Sequence, residues 1–250
     1  VKLSVDVILT NNFDYYYHPH SNFVFFPIWL YMYSVRANLN ASNAIFDFDA
    51  GYKKTKPAMC LNKRPDVHRT LLWDLMNQHK VIDQIMYSFS QPHGYNEYSW
   101  TYPLNLPEED FKTNFNDVSV RHPVYNECAV NIVTETTTEL SYISEKTCKA
   151  FLARQIPVIV GCQGINQALV DFGLDMFDDV VPWRTWDREL HESTRVEMIA
   201  EFLAQWIRSG AILSTYQSLL PRIERNKQYF HSESFRNRIM AQMKKFEPKI

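Results

Sequence analysis

Apolar and polar positions follow different rhythms in the two halves of the chain. In the first ten residues Val1, Leu3, Val5 and Val7 alternate with Lys2, Ser4 and Asp6, the period-two pattern of a half-buried strand. Short apolar runs at 23–26, 45–48 and 85–89 predict three further strands, with a polar, aromatic loop over 11–22. Leu71, Leu72, Leu75 and Met76 recur at helical spacing after Pro65 and predict a helix over 67–79. Pro- and Asn-rich sequence from 91 to 107 reads as irregular, and 114–126 as an interdomain linker.

Beyond the linker the pattern sharpens. Residues 127–134 read as a strand and 145–153 as a helix. Residues 156–160 form a continuous apolar run holding Pro157 and ending at Gly161, and 163–172 read as a second helix. This βαβα order implies a parallel sheet with right-handed crossovers. Val196, Ile199, Phe202, Leu203 and Trp206 fall on one face of a helix over 195–207, and helices over 216–229 and 234–246 close the chain. The expected class is therefore α/β. Two small α/β halves are expected, over 1–115 and 116–230, with a C-terminal helix in 231–250 packing back on the first.

Composition narrows the function classes. The 26 basic residues nearly balance 28 acidic ones for a net charge of −2, so no overall field favours nucleic acid, and an anionic ligand must be met by local cations. With only 6 glycines, neither the dinucleotide fingerprint G-x-G-x-x-G nor the P-loop occurs, which removes two common phosphate sites. Cys60, Cys128, Cys148 and Cys162 are too scattered for a zinc site and read as reduced thiols. The most apolar window, 23–33, is too short to span a bilayer, so no transmembrane segment is expected. Lys2, Ser4 and Asp6 interrupt anything resembling a signal peptide, and the expected setting is cytoplasmic, the host cytoplasm for a viral protein.

Candidate chemistry gathers in two places. In Tyr142-Ile143-Ser144-Glu145-Lys146-Thr147, Ser144 is a plausible N-cap. The first-turn amides and the Lys146 ammonium would then meet an anion above the preceding strand. A carboxylate beside them, Glu145 or Glu135, could take both hydroxyls of a ribose; equally, the acid could simply compensate the helix dipole with Lys146 in solvent. In the first half, Asn62, Arg64, His68 and Arg69 cluster where a strand meets a helix that starts at Pro65. Two guanidinium groups there suit a diphosphate, although His68 and Arg69 could also be an exposed helix face.

The stretch Val133-Thr134-Glu135, Tyr142-Ile143-Ser144-Glu145-Lys146, Lys149 and Ile156-Pro157-Val158-Ile159-Val160-Gly161 resembles the donor-binding block of the α1,3-fucosyltransferase family. Together with Cys60 to Arg69 and Gly173-Leu174-Asp175-Met176-Phe177-Asp178-Asp179 it also resembles small viral and bacterial glycosyltransferases, viral xylosyltransferases among them. The resemblance spans roughly 58–90 and 127–230. It implies the GT-B architecture, two Rossmann-like domains with a cleft between them. It also implies donor contacts at Glu145 and Lys146, with Glu135 closing the strand before them. Departures fall at Thr136, Ala150-Phe151 and Ala153-Arg154-Gln155. The fucosyl branch implies GDP-fucose and the viral branch UDP-xylose. Trp183-Arg184-Thr185-Trp186-Asp187 with Arg195 resembles a loop and helix that flank the donor in the viral and bacterial set.

The expected function is thus an inverting glycosyltransferase that needs no metal or other cofactor. It would move xylose or fucose from a nucleoside-diphosphate sugar to an oligosaccharide or other glycan acceptor. Such a reaction needs a general base on the acceptor side, for which Asp47 and then Asp14 are the candidates, His18 and His20 lying in the same loop as Asp14. Asp47-Phe48-Asp49 also supplies an alternative, the D-x-D motif of metal-dependent GT-A transferases. A non-catalytic module binding a nucleotide sugar or a glycan is the third reading.

Overall fold

The computed structural model describes residues 7–10, 22–25, 28–39, 54–62, 65–88, 123–139 and 142–244. Two short strands, β1 (Val7–Thr10) and β2 (Asn22–Phe25), pair in parallel and lead into α1 (Ile28–Leu39). The central sheet then assembles from β3 (Lys56–Leu61), α2 (Val67–Gln78), a 3₁₀ turn at Ile82–Gln84 and β4 (Met86–Ser88). It continues with α3 (Pro123–Glu127), β5 (Cys128–Thr134), α4 (Glu145–Leu152) and β6 (Ile156–Val160). Helices α5 (Ile165–Asp171), α6 (Trp183–Trp186), α7 (Glu192–Arg208), α8 (Ile212–Phe230) and α9 (Glu233–Lys244) complete the described chain.

The four strands are parallel in the order β4-β3-β5-β6. Every residue of β5 and β6 is buried, as expected of a parallel sheet covered on both faces. From β3 the chain moves outward to β4, then returns to the other side of β3 to lay down β5 and β6. With right-handed crossovers this reversal puts α2 and α4 on opposite faces. Helix α2 packs on α7, which also covers β6, whereas α4 packs on α1 and α8, and α8 covers β5 and β3. The buried stripe of α7 runs through Val196, Ile199, Ala200, Leu203 and Ile207. The reversal point, between β3 and β5, is where open α/β sheets form a crevice above the carboxyl ends of their strands.

Two expectations change. First, β3 is an inner strand of the sheet but carries no period-two signal, because Ala58, Met59 and Cys60 are buried in succession. Second, β3 and β4 come from the 1–115 segment and β5 and β6 from the 116–230 segment, so the boundary near residue 115 falls inside one sheet rather than between two. The C-terminal helix α9 packs against α1, where Arg236 donates to the Ser34 carbonyl at 3.4 Å. The strand expected at 45–48 lies outside the described residues. No helix among those described is long and apolar enough to cross a membrane.

Candidate functional site

The crevice between the carboxyl ends of β3 and β5 is organised by Glu135, the residue after β5. Its side chain is fully buried. One carboxylate oxygen accepts from the Ser144 amide at 3.0 Å and the Thr147 hydroxyl at 2.6 Å, and the other from the Thr136 amide at 3.3 Å. The buried anion is thereby held against the first turn of α4, where the helix dipole favours negative charge. The Glu135 backbone carbonyl faces the other way and accepts from His68 Nε2 at 3.0 Å and Arg69 Nη2 at 2.9 Å, both in the first turn of α2. One residue therefore ties the helices on the two faces of the sheet to each other across the switch point.

These contacts assign roles to the residues expected at the site. Glu135 was expected to meet a ribose; its oxygens are instead turned inward and occupied. His68 and Arg69 were expected on a ligand or on an exposed helix face, yet both are almost fully buried. Arg69 also pairs with Asp66 at 2.6 Å. Because a carbonyl can only accept, His68 carries its hydrogen on Nε2, and burial followed by the Arg69 charge lowers its pKa below the ordinary histidine value. Asn62, at the end of β3, is also buried. Its amide nitrogen donates to the Ser88 carbonyl at 2.8 Å, its side-chain oxygen accepts from Thr134, and so it locks the ends of β3, β4 and β5 together.

Ser144 is the N-cap of α4, its hydroxyl accepting from the Lys146 amide at 3.2 Å, as the sequence predicts. Among the described residues, Lys146 is a partly exposed cation beside the turn after β5. Its side chain is 30% exposed, and its ammonium donates to the Thr136 hydroxyl at 3.1 Å and pairs with Glu145 at 3.4 Å. Glu145, with 13% of its side chain exposed, lies beside it. Trp29 on α1 donates to the Tyr142 hydroxyl at 2.9 Å, fixing the approach to α4 from the outer face.

The third wall is the start of α7. The Thr138 hydroxyl donates to Glu192, and the buried Arg195 guanidinium donates to the Thr138 carbonyl at 3.3 Å and to the Glu189 and Leu190 carbonyls at 2.8 and 2.9 Å. Arg195 thus straps the turn after Glu135 rather than reaching outward. Trp183 and Trp186 are core residues. Asp187 is consumed by the amides of Asn166 and Gln167 at 3.1 and 3.0 Å. Gly161 lets the loop after β6 come close: a Cβ there would sit 2.9 Å from Ile165 Cδ1 and 3.5 Å from Glu135 Cγ.

Sequence reasoning gave no role to Thr134, Thr136, Thr138, Thr147 or Glu192. A threonine carries no spacing signal, and Glu192 meets Thr138 from 54 residues away. Asp14, His18, His20, Asp47, Asp49 and Arg64 lie outside the described residues. All four cysteines are buried as free thiols, and burial pushes the Cys60 and Cys128 pKa values up to about 12, so neither is a ready nucleophile. Among the described residues no three His, Cys, Asp or Glu side chains gather as a cation site. Comparison with known protein families, curated proteins and solved structures finds no match to this chain.

Proposed function

We propose that this protein is a glycosyltransferase that uses a nucleoside-diphosphate sugar, with xylose or fucose as the transferred unit. The observation that carries this reading is the position of Lys146. It is a partly exposed ammonium on the capped first turn of α4, beside a sheet switch point, backed by a carboxylate that is already satisfied. A diphosphate would lie against that ammonium and the helix start. Glu145 would accept hydroxyls of the ribose or of the sugar. As the glycosidic bond to the diphosphate breaks, negative charge builds on the leaving oxygen, and the cation and helix dipole offset it. Inversion requires a base to take the acceptor hydroxyl's proton as that oxygen attacks from the opposite face, the role proposed for Asp47, with Asp14 next.

The test is a thermal-shift panel of UDP, GDP, CMP and their sugar conjugates, each with EDTA and with Mn²⁺, on wild type and Lys146→Ala. A ligand that binds only the folded state raises the melting temperature. The expected result is a shift from one nucleoside diphosphate that survives EDTA and falls about tenfold in affinity in the variant, as for loss of one charge-assisted contact. A shift that requires Mn²⁺ would transfer the reading to a metal-dependent site at Asp47 and Asp49. No shift from any of them would overturn it.

A further inference from the structure

The turn after β5 is fixed at both ends. At its start the Thr136 amide donates to one oxygen of the buried Glu135 carboxylate at 3.3 Å, while the Ser144 amide and Thr147 hydroxyl of α4 hold the other oxygen. At its far end the Thr138 carbonyl accepts from the buried Arg195 guanidinium at 3.3 Å, and the Thr138 hydroxyl donates to Glu192 at the start of α7. Thr136 therefore stands on backbone braced from α4 on one side and from α7 on the other, and it is itself exposed. Its hydroxyl oxygen accepts from Lys146 Nζ at 3.1 Å.

The contact matters because a lysine ammonium rides on a flexible four-carbon stem, and holding it in one place costs rotamer freedom. Three acceptors stand within reach of its three hydrogens: Thr136 Oγ1 at 3.1 Å, Glu145 Oε1 at 3.4 Å and Ser144 Oγ at 3.5 Å. They are not equivalent. Ser144 Oγ already accepts from the Lys146 amide as the cap of α4 and is the most distant of the three. Glu145 is charged, so the closer it pairs with the ammonium the more it cancels the charge that an anion would meet. Thr136 is the nearest and is neutral, so it fixes the ammonium in space and leaves its charge intact. An arriving phosphate oxygen has to take one of the three hydrogens. The longer contacts, to Ser144 and Glu145, are the ones that give way. The Glu145 carboxylate so released can accept a hydroxyl of the same ligand.

We propose that Thr136 is a positioning residue of the ligand site, its hydroxyl holding the Lys146 ammonium on the braced turn while the pair with Glu145 opens to admit a phosphate. This role rests on the reading of Lys146 as the diphosphate contact. The experiment is isothermal titration with UDP, GDP and inorganic pyrophosphate, the part that both nucleotides share. It compares wild type with Thr136→Val, which keeps the shape but loses the oxygen, Thr136→Ser, which keeps the oxygen, Lys146→Ala and the Thr136→Val/Lys146→Ala double variant. Thr136→Val should weaken the tightest-binding probe about fivefold, and Thr136→Ser should stay within about twofold of wild type. Both should melt where wild type does, since the side chain is exposed. In the Lys146→Ala background Thr136→Val should have no further effect, because a residue that acts through another loses its influence once that residue is gone. An equal loss in that background would make Thr136 a direct contact and overturn the positioning role. Full affinity in Thr136→Val, or a Thr136→Ser variant as weak as Thr136→Val, overturns it as well and leaves Lys146 in place. Wild type that binds none of the three probes overturns the diphosphate reading of Lys146 and the role of Thr136 together.

Discussion

Helix α4 meets a charged group at each end, and the two ends behave differently. At its start, the Ser144 amide and the Thr147 hydroxyl donate to the buried Glu135 carboxylate. At its finish, the carbonyl of Ala153, its C-cap, accepts from the buried Lys54 ammonium at 2.9 Å, and the same ammonium donates to the Tyr125 carbonyl at 2.6 Å. An anion at the positive end and a cation at the negative end both follow the helix dipole. Yet at the amino edge Lys54 is buried, Arg154 is tied to Glu224 at 2.8 Å, and the partly exposed Lys56 sits at a strand start. At the carboxyl edge the partly exposed Lys146 sits on a helix start above a satisfied anion. Electrostatic matching by itself therefore marks structure; a cation on a helix start, where the dipole adds to it, marks the edge that can take an anionic ligand.

The comparison breaks most severely at Glu135. Glu135→Ala would leave the Ser144 amide and Thr147 hydroxyl buried without their acceptor and free the turn that carries Thr136. A stability loss of roughly 3 kcal/mol is expected in urea unfolding. A loss below about 1 kcal/mol would mean that water replaces the carboxylate and that the tie across the switch point is not needed.

Lys54 makes the corresponding test at the other end. Burial lowers its pKa from 10.5 to about 7, so between those values the unfolded chain holds a proton that the folded chain lacks. Stability from this group therefore rises with pH from about 7 toward 10.5 and is absent at lower pH. Measured against Lys54→Met, the wild type should gain about 2 kcal/mol between pH 7 and pH 9, read by denaturant unfolding at each pH. Parallel pH profiles for the two proteins would show that the ammonium is not desolvated as the contacts with Tyr125 and Ala153 require.

How much of this was written locally in the chain depends on how local each cause is. The continuous apolar runs of β5 and β6, the Ser144 cap and the stripe of α7 are encoded within a few residues of where they act, and they are legible. The inner strand β3 was legible only as a strand ending near Asn62, since three successive buried residues, Ala58, Met59 and Cys60, erase the alternation that betrays a half-exposed strand. The linker composition of 114–126 suggested a domain break, but strand pairing joins Lys56 to Cys128 across 72 positions, and nothing in composition reports pairing. Glu135 was legible as a carboxylate after a strand. Its inward turn depends on an amide 9 residues later and on two side chains 66 and 67 residues earlier.

The smallest expected effect sharpens the comparison furthest, because it sets two similar ion pairs against each other. Lys56 and Glu127 sit 3.2 Å apart at the amino edge, and Lys146 and Glu145 sit 3.4 Å apart at the carboxyl edge. The Lys56–Glu127 pair is about 40% exposed on both sides, so solvent screens it. Glu127→Gln should therefore change stability by less than about 0.5 kcal/mol and leave nucleoside-diphosphate affinity untouched. Lys146→Ala should cost equally little in stability while lowering that affinity about tenfold. Effects equal in size and opposite in sign, tighter binding in Glu127→Gln and weaker in Lys146→Ala, would mean that net charge, felt over the whole surface, governs the ligand. Unequal effects place the recognition in the geometry around Lys146, where the ammonium is held by the Thr136 hydroxyl and the helix start rather than by its carboxylate neighbour alone.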